Sequence, residues 1–214
     1  MARVVIFGGT GYAGSNIARE AAARGHEVIS YSRRPPEQPL DGVEYRIGSL
    51  ASEGVLAAAV EGADVLVVAL HGADVDGAPL ATYVPRLIDA ARNNGVRLAF
   101  VGGAGSSLVA EGGPRLVDTP DFHEDWKPEA LAHAEVLEEL RQAPEDLDWF
   151  YVSPAALFGA AVPGETTGSY GTGGDVLVTK DDGSSEISGT DYALAFVDEI
   201  ENRAHPRQRF TVGH

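Results

Sequence analysis

The stretch Gly8-Gly9-Thr10-Gly11-Tyr12-Ala13-Gly14 follows directly on the apolar run Val4 to Phe7 and leads into a helical pattern over Tyr12 to Arg24. It satisfies both G-x-x-G-x-x-G and G-x-G-x-x-G, and its setting between a strand and a helix gives the spacing a physical meaning. The early glycines permit a tight turn. Missing Cβ atoms let a pyrophosphate approach the backbone, and the last glycine lets the helix lie close to the strand. Unpaired N–H groups at the helix start then face the phosphates. The residues expected to hold a dinucleotide here are Gly8, Thr10, Gly11, Tyr12, Ala13 and Gly14.

Working outward, short β-branched runs recur at Glu27 to Tyr31, Val43 to Ile47, Val65 to Ala69, Leu98 to Val101 and Trp149 to Val152. Amphipathic or alanine-rich stretches separate them, over Leu50 to Glu61, Leu80 to Asn93 and Pro128 to Arg141. That alternation predicts an α/β protein with a Rossmann-type, doubly wound, mostly parallel sheet and helices on both faces. Gly25, Gly62 and Gly95 each follow a helical run, where a left-handed cap favours glycine. Past Val152 the rhythm breaks. Gly159 to Gly174 reads as loop, and Val176 to Thr179 with Ser185 to Ser188 reads as a small hairpin turning through Asp182 and Gly183. A final helix is expected from Asp191 to Asn202 with Thr190 as N-cap, then a strand from Arg209 to Val212. The chain of 214 residues is expected to form one domain, in which 154–214 complete the sheet and the acceptor side of the site.

The second strand ends at Tyr31 and is followed by Ser32, Arg33 and Arg34, with no carboxylate before Glu37. An NAD-preferring site places an acidic residue here for the ribose diol, whereas a guanidinium binds a 2′-phosphate. Arg33, with Arg34 beside it, therefore predicts NADPH, with NADH as the lesser option. Ser49 and Leu50 after the third strand, Ala69, Leu70 and His71 after the fourth, Gly103 after the fifth and Pro154 after the sixth all fall at carboxyl ends of strands. Ligands bind along that edge in open α/β sheets.

A net charge of −16 disfavours nucleic acid and anionic membranes as partners. With no cysteine there is no thiolate chemistry, disulfide or cysteine-ligated metal, and no metal-ligand spacing stands out; no metal is expected. The first apolar run is too short for a signal-peptide core and no run reaches membrane-spanning length, so a cytoplasmic protein is expected.

With these residues placed, the chain resembles the atypical short-chain dehydrogenase/reductase superfamily. The likeness points in particular to its NADH-flavin reductase and biliverdin IX-beta reductase-like branch, related to the NmrA-like proteins. It is carried by I-F-G-G-T-G-Y-A-G-S at the start, V-G-G-A-G-S at Val101 to Ser106, L-D-W-F-Y-V-S-P at Leu147 to Pro154 and I-S-G-T-D-Y-A at Ile187 to Ala193. The resemblance implies roughly seven strands, NAD(P) across the glycine turn, and activity toward flavins or quinones. Two departures stand out. Ser49 occupies a position where many relatives carry aspartate, so contact there reduces to backbone. Biliverdin reducers use a serine after the fifth strand and a histidine after the sixth; Ser106 matches the former, but Pro154, Ala155 and Ala156 supply no histidine.

Ordinary short-chain dehydrogenases protonate a carbonyl with a Tyr whose pKa is lowered by a Lys four residues on. Here position i+4 from each tyrosine is Asn16, Pro35, Ser49, Leu87, Ala155, Gly174 or Phe196, and the only lysines are Lys127 and Lys180. Without the dyad, alcohol–ketone redox and nucleotide-sugar epimerisation lack their acid. Flavin or quinone reduction needs chiefly that two rings be positioned. Phe122 and Trp126 are candidates to stack on such a planar acceptor, which binds as a substrate and not as a resident cofactor. Ser106 and His123 are the candidate catalytic residues, the latter as a proton donor. Two functions stay open: an NADPH-dependent reductase of planar acceptors, and a non-catalytic NADP(H) sensor of the NmrA-like kind.

Overall fold

A computed structural model describes residues 1–214. Its strands are β1 (Arg3–Phe7), β2 (Glu27–Ser32), β3 (Val43–Ile47), β4 (Val65–Val68), β5 (Arg97–Val101), β6 (Trp149–Ser153), β7 (Gly171–Gly173) and β8 (Gln208–Gly213). The helices are α1 (Tyr12–Ala23), α2 (Glu53–Val60), α3 (Val84–Asn94), α4 (Lys127–Arg141) and α5 (Gly189–Asn202). All eight strands form one sheet in the order β3-β2-β1-β4-β5-β6-β8-β7. Every pairing is parallel except β7 with β8.

The alternation of side chains along each strand builds two cores. In β1, Val5 and Phe7 join the core that contains Leu56 of α2, Leu87 of α3 and Leu137 of α4. Val4 and Ile6 face the other way, onto Ile17 of α1 and Phe196 of α5. Because parallel strands need crossovers, helices must cover both faces, and the continuous apolar runs in the sequence follow from that. The chain leaves β1 toward β2 and β3, then returns to the opposite side as β4. The strand order reverses between β1 and β4, which opens a crevice at their carboxyl ends.

Gly25, Gly62 and Gly95 adopt φ of 79°, 68° and 68°, as their places after helical runs require. The C-terminal region departs from expectation. Asp182 and Gly183 do turn, with the Gly183 N–H donating to the Lys180 carbonyl at 2.9 Å. The flanking arms, however, do not pair as a hairpin: Val176 bridges to Leu108 and Glu186 to Leu157. The extra strand, β7, lies inside the stretch expected to be loop, and α5 begins two residues earlier than expected with Ser188 as its cap. The Ser188 hydroxyl accepts from the Asp191 N–H at 3.0 Å. No helix is long and apolar enough to cross a membrane.

A buried ion pair ties the start of β5 to α5. Arg97 in β5 donates to Glu199 of α5 at 2.6 Å, each side chain 2% exposed, and its guanidinium lies 4.4 Å from the Phe150 ring centroid. Glu199 also accepts from the backbone N–H and ring of His205. Charges this deep are tolerated only when each is paired and fully hydrogen-bonded.

Candidate active site

The glycine turn is shaped by close backbone approaches. Gly8 sits at φ 89°, and a Cβ there would lie 2.2 Å from the Ala69 carbonyl oxygen. A Cβ on Gly14 would lie 2.2 Å from the Gly8 carbonyl oxygen. Both obstacles are backbone and cannot rotate away. The turn is closed by Gly8 N–H to the Tyr31 carbonyl and Gly11 N–H to the Gly8 carbonyl, each 3.0 Å. Gly11 is the N-cap of α1 and has no side chain to cap it, so the N–H groups of Tyr12, Ala13 and Gly14 have no partner within the protein. Such a helix start attracts phosphate through both its free donors and its dipole. The tight turn, exposed at Thr10 and Gly11 beside these free amides, fits a dinucleotide's pyrophosphate.

Thr10 and Gly11 are exposed at this turn, and Ala13 is half-buried. Tyr12 offers only its amide, because its side chain is engaged elsewhere. Its hydroxyl accepts from the Gly189 N–H at 2.9 Å and donates to the Pro163 carbonyl at 3.2 Å, while its ring meets Phe158 edge-on. The start of α1 is thereby fastened to the start of α5.

At the outer end of the crevice, Arg33 is exposed and donates to Asp76 at 2.8 Å, and the Ser49 hydroxyl donates to the same carboxylate. Ser49 first and Arg33 second hold the Asp76 carboxyl below the usual carboxylate range. Arg34 is exposed and its carbonyl accepts from the Ser32 hydroxyl at 2.6 Å. Leu50 is a correction: its side chain is 1% exposed within the core, so the residue is structural and cannot line the crevice with its side chain. Its apolar side chain belongs with Leu56 and Leu87, which is why it is drawn inward.

On the other side of the crevice, Ala69 and Leu70 are half-buried against the glycine turn and His71 projects outward with its side chain 89% exposed. Glu129, in the first turn of α4, reaches this loop. Its carboxylate accepts from the Gly72 N–H at 2.8 Å, the Ala73 N–H at 2.9 Å, the His133 ring at 3.2 Å and the His71 ring at 3.3 Å. Burial works to raise the Glu129 pKa. The hydrogen bonds from His133, His71 and the two amides outweigh it and hold the group far below the usual carboxylate range. The same contact with Glu129 raises the His71 pKa. Sequence reading missed Glu129 and His133, although an i,i+4 Glu and His on the Pro128 helix would share one face.

After β5, Gly103 donates its N–H to the Tyr151 hydroxyl at 3.1 Å, and that hydroxyl donates to the His133 carbonyl at 3.0 Å. The neighbouring glycines answer to packing: a Cβ on Gly102 would strike the Tyr151 ring and one on Gly105 would meet Ala130. Ser106 has a buried hydroxyl with no partner. Pro154 is buried at the end of β6. His123 is exposed, its Nδ1 accepting from the Asp125 N–H at 3.3 Å and its ring tilted against Trp126. Phe122 is half-buried and meets Trp126 edge-on; Trp126 is 56% exposed, and neither ring joins the two cores. No group of three or more His, Asp or Glu side chains is arranged to hold a metal ion.

Comparison with known proteins places this geometry. The family model described as NAD(P)H-binding matches residues 8–203. YwnB of Bacillus subtilis is 36% identical over 216 residues, covering 98% of this chain and 97% of the relative. A Burkholderia pseudomallei structure described as a "putative exported protein" is 40% identical with a TM-score of 0.85, covering 100% of both chains. A Streptococcus pneumoniae structure described as a "putative NADH-flavin reductase" is 32% identical with a TM-score of 0.81, again over 100% of both chains. With its open amides at the glycine turn and its strand reversal beside them, the chain belongs to the NAD(P)H-binding family, as an atypical short-chain dehydrogenase/reductase of Rossmann type.

Proposed function

We propose that the protein is an NADPH-dependent reductase that transfers hydride to a planar acceptor, a flavin or a quinone, bound as a substrate. The observation that carries this reading is the glycine cradle: unpartnered amides of Tyr12, Ala13 and Gly14 on a turn whose tight backbone contacts admit no Cβ on Gly8 or Gly14 and whose tip, Thr10 and Gly11, is exposed. Around it the chain supplies what ring-to-ring hydride transfer requires. Arg33 at the outer end suits a 2′-phosphate, and its pairing with an exposed carboxylate is weak enough to exchange. Trp126, with half-buried Phe122 edge-on behind it, offers an exposed face to a planar ring. The Tyr-Lys dyad is missing from the sequence, which removes ordinary carbonyl reduction but not reduction of an acceptor that delocalises charge. The description of the Streptococcus relative, at 32% identity over the whole chain, supports the same acceptor class. We place the activity in the cytoplasm.

The test mixes purified protein with NADPH and, in separate assays, FMN, FAD or a naphthoquinone, and follows absorbance in the nicotinamide band. Turnover above buffer controls is expected. Tight NADPH binding by calorimetry with no acceptor consumed would replace this reading with that of an NADP(H) sensor, and absence of binding would end both.

A further inference from the structure

We propose that His71, held by Glu129, is a catalytic residue that donates the proton completing reduction of the acceptor; this rests on the reductase reading above. Three observations converge on it. First, His71 stands where the crevice lies. It follows β4 at the strand reversal, two residues beyond Ala69, whose carbonyl presses on the glycine turn. Second, its ring is oriented. Nδ1 faces the Glu129 carboxylate at 3.3 Å, which leaves Nε2 free on a side chain that is 89% exposed. A carboxylate that accepts from Nδ1–H keeps that proton in place, so the proton the imidazolium can give up is the one on Nε2. Third, Glu129 is itself fixed, by the Gly72 and Ala73 amides and by the His133 ring. It also lies three residues past Trp126, so the exposed indole and the imidazole sit around the same end of α4.

The titratable and charged groups around His71 are Glu129 of α4, His133 on that same carboxylate, and Arg33 just past β2. Glu129 favours the imidazolium and Arg33 opposes it. The carboxylate prevails, and the ring holds its proton above the ordinary imidazole pKa.

Bound reduced nicotinamide supplies a hydride, which leaves a quinone acceptor as a hydroquinone monoanion and the nicotinamide oxidised. The Nε2–H bond of His71 then breaks as an O–H bond forms on that anion, and neutral His71 regains a proton from solvent. His123, the donor expected from sequence, has its Nδ1 committed to the Asp125 amide at 3.3 Å, and the nearest carboxylate, the exposed Asp125, stands 3.7 Å away, beyond hydrogen-bond distance.

The experiment compares wild type, His71→Gln and Glu129→Gln, with NADPH affinity by calorimetry and kcat for a naphthoquinone across pH 5.5 to 9, a span chosen around roughly 6.5. Wild-type kcat should fall as pH rises past the raised His71 pKa, and Glu129→Gln should move that fall to lower pH. His71→Gln should lower kcat by roughly 10²-fold at neutral pH, with a flat profile and nearly unchanged NADPH affinity. Added imidazole should restore part of the activity of His71→Ala. Independently, the His71 ring resonance should titrate above the free imidazole value, drop in Glu129→Gln, and shift when NADP+ binds.

A His71→Gln enzyme with wild-type kcat and pH profile overturns the proposal while leaving the reductase reading standing. So does a His71 resonance indifferent to bound NADP+. Wild type that fails to bind NADPH, or binds it but reduces no acceptor, overturns the reductase reading and this inference with it.

Discussion

Asp76 holds Arg33 at 2.8 Å from a backbone position that few non-glycine residues adopt, φ 52°. The pair exists because Val75 and Ala78 close a tight turn with Asp76 and Gly77 at its tip, and the tip reaches back to β2 and to Ser49. An exposed ion pair contributes at most about 1 kcal/mol, less than the roughly 1.5–3 kcal/mol of a charge-assisted bond to phosphate. A 2′-phosphate should therefore win Arg33 from Asp76. Arg33→Ala should raise the NADPH Kd by about tenfold or more and leave the NADH Kd nearly unchanged. Asp76→Asn should lower the NADPH Kd by up to about fivefold. Calorimetry with both dinucleotides checks each; equal effects of Arg33→Ala on the two would remove the NADPH preference.

Two glycine substitutions should separate a required glycine from an incidental one. Gly14→Ala places a methyl 2.2 Å from the Gly8 carbonyl oxygen, forcing the cradle to shift, and should cost about 1–3 kcal/mol and weaken NADPH binding. Gly54, inside α2, has nothing within 4 Å of its missing Cβ, and Gly54→Ala should stabilise by up to about 1 kcal/mol with no effect on binding. Urea midpoints and calorimetry read both.

Removing Glu199 takes from buried Arg97 the one carboxylate that is as deeply buried as itself. Glu199→Ala leaves the Arg97 guanidinium, at 2% exposure, with Asp148 at 3.0 Å as its remaining carboxylate, and the lost charge-assisted bond should cost about 1.5–3 kcal/mol. The double variant Arg97→Met/Glu199→Leu should recover most of that loss. Denaturant unfolding of the two proteins decides it.

Glu129 should leave a signature in acid. Its folded-state pKa lies below the unfolded value of about 4.5, so its contribution is present above that pH and is lost as pH falls through the folded value. Wild type should therefore lose more stability between pH 7 and pH 3 than Glu129→Gln does. Similar slopes in the two thermal-melt series would mean that the carboxylate's four hydrogen bonds carry little stability.

The parallel sheet and the glycine turn were legible because both are local. A strand, a run of glycines and a helix in sequence constrain one another within a few residues, and apolar periodicity reports burial directly. What escaped detection depends on distant partners. Gly171–Gly173 has poor strand propensity and becomes β7 only because β8 offers an edge. Val176 and Leu177 looked like half of a hairpin, yet they are claimed by Leu108, far back in the chain. Leu50 was placed at the site by its position after β3, whereas its side chain answered to the core. The Asp76-Gly77 turn and the i,i+4 pair of Glu129 and His133 carried readable signals, but their meaning depends on loops that only the folded sheet brings near.

The sheet order also bears on how the molecule is born. β8 slots between β6 and β7, so Trp149–Ser153 emerges from the ribosome with an unpaired edge that stays open until Gln208–Gly213 is made. That edge is wholly apolar but for its final serine, and nascent chains stalled in this interval would be the ones most prone to stick to one another.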